Sequence, residues 1–388
     1  MKRILKMVLK LILVLTLVGV IVCIWKREEL GRLRAVLTLF NEDRIVQNFS
    51  HMNAAFLTRD VAIGDGPVSD LPTGADMVLP PAVAPWIEAR SVTALVVLKD
   101  GALRHESYHL GTGADDLRIS WSVAKSFLSA LIGILHHDGT IPDLDAQVTQ
   151  YVPALQGSAY DGATIRNVLN MASGVEFDED YLAFFSDINK MGREVALGGS
   201  LDDFSAGLET RQFTPGETWQ YVSIDTHIIG MVVRGATGRD VADLLSEKVI
   251  ARMGFEAMPH YVTDGDGTAF VLGGLNMTTR DYARFGLMFA HGGTWNGQQI
   301  VPEEWITAST TASAPTEAGE TGYGYQWWIP VGAAPGEYMA RGVYGQYIYI
   351  DTARDVVIAS NAADRKFRED GVSQQNIAIF REIAASLD

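Results

Sequence analysis

Cysteine is almost missing from this chain: the single one, Cys23, lies inside an apolar run near the N-terminus. The rest therefore has no internal disulfide and no thiolate nucleophile. Histidine is sparse as well. The adjacent pair His136-His137 falls at a predicted helix end, where an imidazole meets the helix dipole more readily than a metal, and no metal or cofactor is expected. Gly-x-Ser-x-Gly does not occur, which removes the nucleophile elbow of the α/β-hydrolases. Positive charge is scarce beyond the first residues. Eight of the 31 Lys/Arg but only two of the 47 Asp/Glu lie in residues 1–34, leaving 23 basic against 45 acidic side chains. Such a body repels nucleic acid, so no nucleic-acid partner is expected. Internal repeats and low-complexity tracts are also absent.

What the chain has is apolar content, 47% against 20% charged, enough to bury a large core in 388 residues. Lys2, Arg3, Lys6 and Lys10 precede an apolar stretch over 11–25 that closes at Lys26-Arg27. As a helix it spans about 22 Å, and about 28 Å if residues 7–10 join with the lysine snorkelling, close to a hydrocarbon core of roughly 30 Å. No small-x-small site follows the stretch, so an uncleaved membrane anchor over 1–34 is expected, with a cleaved signal peptide as the rival. The body beyond it is expected on the periplasmic or extracytoplasmic side.

Residues 35–84 carry breakers at 41–43, 64–67 and 79–81 and read as a connecting segment, so the main domain is expected over 85–388. Runs at 91–98 and 103–110 flank Lys99-Asp100-Gly101-Ala102 as a hairpin, and 344–350 with 356–359 form a second. Helical periodicity covers 164–171, 226–234, 240–253, 279–290 and 373–387. Strands near both ends of the domain around a helical middle predict an α+β fold: an antiparallel β-sheet flanked by helices, with an inserted all-helical region.

The chain's one Ser-x-x-Lys, Ser122 to Lys125, opens an apolar helix that ends near Asp138-Gly139. Residues three apart share a helix face, so the Lys125 amine can approach the Ser122 hydroxyl, and a desolvated lysine can take its proton. A lysine at the start of a buried helix is costly without a task. Further on, Tyr221-Val222-Ser223 precedes a helix, and Ala340-Arg341-Gly342-Val343-Tyr344-Gly345 enters a strand with glycines that permit close backbone approach. An ordinary core aromatic and a helix cap are the alternatives for Tyr221 and Ser223. Tyr181, Phe184, Phe185, Trp327 and Trp328 are candidates for an apolar cleft wall or for core.

In this order the three elements resemble the Ser-x-x-Lys, Tyr-x-Asn and Lys-Thr-Gly motifs of the serine β-lactamase and penicillin-binding-protein superfamily. The sequence around Ser122, the Pro-Gly-x-x-Trp-x-Tyr stretch before Ser223, and residues 280–286 and 322–328 are similar to its class C-like branch, which includes 6-aminohexanoate-dimer hydrolases and esterases. The resemblance covers 85–388. It implies an acyl-enzyme hydrolase of small amides or esters, with Ser122 as nucleophile, Lys125 as activator and Tyr221 as proton relay. It also implies the Val343 N–H paired with that of Ser122 as oxyanion hole, and Ser223, Gly342, Tyr344 and Tyr181 are the further candidates for substrate contact. A D-alanyl-D-alanine carboxypeptidase, a β-lactamase and a non-catalytic envelope binding protein are the alternatives. Two motifs depart from the pattern. Ser223 replaces an asparagine, and Ala340 stands where a lysine begins the third motif; Arg341 is the candidate to replace that lysine, but alternation turns it away if Ala340 points in.

Overall fold

The computed structural model describes residues 2–388. The leading helix, Lys2–Trp25, includes a segment of mean hydropathy 2.9, long and apolar enough to cross a membrane, and none of it packs against the body. After Lys26 a second helix, Arg27–Leu37, runs to the folded domain. The segment 35–84 is more than a connection. Its breakers separate short elements, and Leu39, Ile45, Phe49, Met52 and Val61 enter the main core. Its strand Leu57–Asp60 edges a four-stranded antiparallel sheet with His260–Thr263, Leu275–Met277 and Arg118–Ile119.

The principal sheet has seven antiparallel strands among the described residues. From one edge they run Ala102–Tyr108, Val92–Lys99, Val356–Ala362, Gln346–Asp351, Glu337–Gly342, Trp327–Ile329 and Gly322–Gly324. The two hairpins legible in the sequence thus meet in the middle, with Val97 opposite Ile358. Alternation along these strands feeds two cores, since successive side chains point to opposite faces. Val96, Leu98, Ile348 and Val357 face the helical region, while Leu95, Val97, Tyr349 and Ile358 face the terminal helix Val372–Ala385 and the helix Val83–Ala89. Burial on both faces explains why the central strands read as continuous apolar runs. Helix Thr279–Ala290 lies close on the sheet because Gly286 is there: a Cβ would come within 2.6 Å of Ile348 and 2.7 Å of Val357.

Between the terminal strands lies the helical insertion, centred on Ala124–His137, buried around most of its circumference. The architecture is the expected α+β arrangement. One boundary differs in a way that matters: the strand expected from residue 344 starts at Gln346, because Val343, Tyr344 and Gly345 form a tight turn after Gly342. Tyr344 and Gly345 both hold positive φ there, +60° and +89°.

Sequence reasoning missed one histidine motif, His105-Glu106-Ser107-Tyr108-His109, which spells the pattern that zinc peptidases carry on a helix. Here it lies on the edge strand Ala102–Tyr108, and both imidazole Nε2 atoms meet the Ser107 hydroxyl, at 2.9 and 3.0 Å. Glu106 lies on the opposite strand face, ion-paired to Arg280 at 2.8 Å.

Candidate active site

Ser122 sits in a single 3₁₀ turn, Trp121–Val123, immediately before the helix that carries Lys125. Trp121 holds the chain at φ +42°, a left-handed conformation that costs a non-glycine residue about 1–2 kcal/mol. Aromatic packing offsets that cost. The Trp121 ring meets Phe49 edge-on at 5.5 Å and Phe40 at 5.9 Å, and Phe40 in turn stacks on Tyr344 at 4.9 Å. Two strained turns, one carrying Ser122 and one following Gly342, are therefore clamped by residues of the 35–84 segment. Gly342 closes the gap between them: a Cβ would lie 2.7 Å from the Ser120 carbonyl and 3.0 Å from the Ser122 nitrogen. Among the described residues no carbonyl accepts from the Ser122 or Val343 N–H outside regular elements, and both residues line one cleft.

Lys125 is buried, and its ammonium has no carboxylate partner among the described residues. It donates to the Leu272 carbonyl at 2.6 Å and to the Ser223 hydroxyl at 3.2 Å. Desolvation lowers its pKa to about 7, against the opposing pull of Glu179 and Asp225. Tyr221, half-buried, presents its ring 5.6 Å from the lysine nitrogen. Burial and the Glu179 charge push its phenol up, while hydrogen bonding to Ser122 and Ser223 and the Arg341 charge pull it back. At neutral pH the phenol keeps its proton.

Ser223 stands at the N-cap position of Ile224–Thr237 but makes no capping bond with its side chain. Its hydroxyl instead donates to Glu179, and its N–H reaches the other oxygen of that carboxylate at 2.9 Å. The Tyr181 hydroxyl also donates to Glu179 and lies 3.4 Å from Ser223. Glu179 thus ties together Tyr181 and Ser223 and through Ser223 touches Lys125, yet its sequence neighbourhood is merely an acidic run with nothing to single it out. Behind the cluster the buried Asp225 accepts from Tyr160 at 2.8 Å and Ser173 at 2.7 Å, and burial raises its pKa to about 7.

An open, polar cleft of about 890 Å³ lies over Ser122, with Glu179, Tyr181, Tyr221, Gly342 and Val343 among its walls. The structure corrects the reading of the third motif. Ala340 faces the buried core, and Arg341 lines the cleft, its guanidinium 5.3 Å from the Trp328 ring. Strand alternation is obeyed, but it is Ala340 and Gly342 that share the inward face, so the cation belongs to the middle position. The aromatic candidates divide. Trp328 lines this cleft, Trp327 is core against Phe289 at 4.4 Å, and Phe184 and Phe185 are exposed. Tyr344 lies outside the polar cleft, on the wall of a second, apolar space that also reaches Ser122.

Fold and site together define a hydrolase of the β-lactamase and penicillin-binding-protein class. The Beta-lactamase family model matches residues 85–378, and the chain belongs to this family of serine hydrolases. It is 30% identical over 319 residues to the 6-aminohexanoate-dimer hydrolase of Paenarthrobacter ureafaciens, covering 79% of this chain and 80% of that protein. In fold it is similar to a putative 6-aminohexanoate-dimer hydrolase from Bacillus anthracis, with a TM-score of 0.80 at 23% identity over 90% of this chain and 96% of that one. A D-stereospecific amidohydrolase from Streptomyces aligns with a TM-score of 0.56 at 19% identity, over 76% of this chain and 97% of the other.

Proposed function

We propose that the protein is a membrane-anchored serine hydrolase that cleaves a small amide or ester through an acyl-enzyme on Ser122. The observation that carries this reading is the buried Lys125, with a pKa of about 7 and no acidic partner, one helical turn from the Ser122 hydroxyl. A neutral amine there takes the serine proton as Ser122 Oγ attacks the carbonyl carbon. The amides of Ser122 and Val343 receive the negative charge on the carbonyl oxygen, each donor worth about 3 kcal/mol in the transition state. Tyr221, still protonated, hands its proton to the departing amine or alkoxide and is reprotonated by the Lys125 ammonium. Water then releases the acid along the same path in reverse. Glu179 orients Ser223 and Tyr181, and its charge raises the Lys125 and Tyr221 proton affinities, opposing desolvation at the lysine and adding to it at the phenol. The apolar Lys2–Trp25 helix supports the anchor, with the body exported.

The test is capture of the intermediate. Quenching a reaction with a p-nitrophenyl ester in its burst phase is expected to leave the acyl group on the peptide containing Ser122, read by mass spectrometry. Turnover with the label on another residue, or with none, would overturn the assignment.

Arg341 on the cleft floor favours a substrate with a carboxylate on its leaving side, as in a linear aminohexanoate amide or a β-lactam. Arg341→Ala is expected to raise KM for such anionic substrates about tenfold while moving that of a neutral short ester less than twofold, because a partly exposed charged hydrogen bond is worth about 1.5 kcal/mol. Equal effects on both would mean that Arg341 acts through Tyr221 rather than on substrate.

A further inference from the structure

Ser122, Tyr181 and Val343 form walls of two spaces at once: the polar cleft and a narrower apolar cavity of about 280 Å³. Phe40, Met52, Phe56, Ile188, Val195 and Phe270 line the cavity, drawn from widely separated parts of the chain. Two of its polar side chains are already engaged. Asn189 Nδ2 is turned back onto the carbonyls of Tyr181 and Ala183, both at 3.0 Å, and Arg193 donates to the Phe184 carbonyl at 2.8 Å with its guanidinium 4.2 Å from the Phe184 ring. Beyond these, Trp121 Nε1 is the one buried donor on the wall without a partner among the described residues, and the rest of the lining is chiefly apolar, so the body of the occupant is apolar. At about 30 Å³ per water-sized group the cavity has the volume of roughly nine carbons.

Its outer wall includes Val36 and Leu37, the end of helix Arg27–Leu37, and Leu37, Leu182 and Phe184 are exposed around it at 57%, 70% and 56%. That helix continues from the apolar Lys2–Trp25 helix with only Lys26 between them, so Leu37 stands within about 18 Å of the Trp25 end. With the Lys2–Trp25 helix as the proposed anchor, a chain entering past Leu37 comes from the membrane side and reaches the wall that carries Ser122.

We infer that this cavity holds the aliphatic acyl chain of the substrate, which is an amphiphilic ester or amide drawn from the membrane surface, its polar leaving group lying in the Arg341 cleft. The inference rests on the acyl-enzyme reading above. In the step it requires, a bond forms between Ser122 Oγ and the chain's carbonyl carbon, and the bond to the leaving oxygen or nitrogen breaks. The serine proton ends on the leaving group, and water later restores it to Ser122 as the fatty acid departs.

The experiment uses the full-length protein in phosphatidylcholine vesicles with p-nitrophenyl esters from acetate to palmitate. Each fully buried methylene contributes a factor of about 4, so burial of only half of the six added from acetate to octanoate is expected to raise kcat/KM at least about 60-fold, with a plateau near ten carbons. Gly192→Trp places an indole where a Cβ meets nothing within 4 Å on the cavity wall, and it is expected to cut the octanoate-to-acetate ratio at least tenfold. A flat or falling profile in an enzyme that turns over acetate would overturn the chain site and leave the hydrolase standing. A rise of the same size with and without vesicles would overturn the membrane as the source. Failure on every ester together with no acyl group captured on Ser122 would sink the hydrolase reading itself.

Discussion

Ser122→Ala is expected to lower kcat/KM for a p-nitrophenyl ester by at least about 10⁴-fold and to abolish labelling by a fluorophosphonate, while the melting temperature stays within a few degrees of the parent's. The hydroxyl is all that is lost, and Ser122 is braced by its backbone: the Trp121 turn, the aromatic clamp and the Gly342 contact remain in place. Residual hydrolysis then reflects binding and the two amides alone, which is why the loss is large without being complete. Undiminished fluorophosphonate labelling would show that another serine reacts.

Lys125→Ala is expected to be nearly as damaging, and Ser122→Ala/Lys125→Ala no more than about threefold slower than the worse single variant, since nucleophile and base act as one unit. In the parent enzyme kcat/KM is expected to rise with pH, tenfold per unit below about 7 and flat above it. The group that must be neutral is a lysine whose pKa burial has lowered to about 7. The same shift has a stability counterpart. The folded-state pKa lies below the unfolded value of about 10.4, so between these pH values the unfolded chain binds the extra proton, and stability falls as pH drops from about 10 to 7, by about 1.4 kcal/mol per unit. Lys125→Met, which keeps the volume and discards the charge, is therefore expected to melt no lower than the parent at pH 7 while losing turnover. A variant that is both inactive and much less stable would mark Lys125 as structural.

In the proposed site those two residues are legible because they are local: a serine and a lysine three apart stand at the head of an apolar helix. Tyr221 was nearly as plain through its motif. Glu179 was not, because its role depends on a loop folding back more than forty residues to meet Ser223. Arg341 was misread for a different reason. Alternation along a strand fixes which residues share a face but not which face the core takes, and only the packing of Ala340 against the helical region decided that.

By itself, then, the chain determined the periodic things: the apolar N-terminal helix, the paired hairpins, the helix Thr279–Ala290, and the α+β class they compose. Tertiary structure decided what those elements do to one another. Phe40 and Phe49 come from a segment that reads as a linker because its helices and strand are too short for periodicity to show, yet they clamp the turns carrying Ser122 and Tyr344. The apolar cavity is likewise invisible in one dimension, for its walls are ordinary core residues from distant parts of the chain. Their meaning lies in the space they leave unfilled beside Ser122.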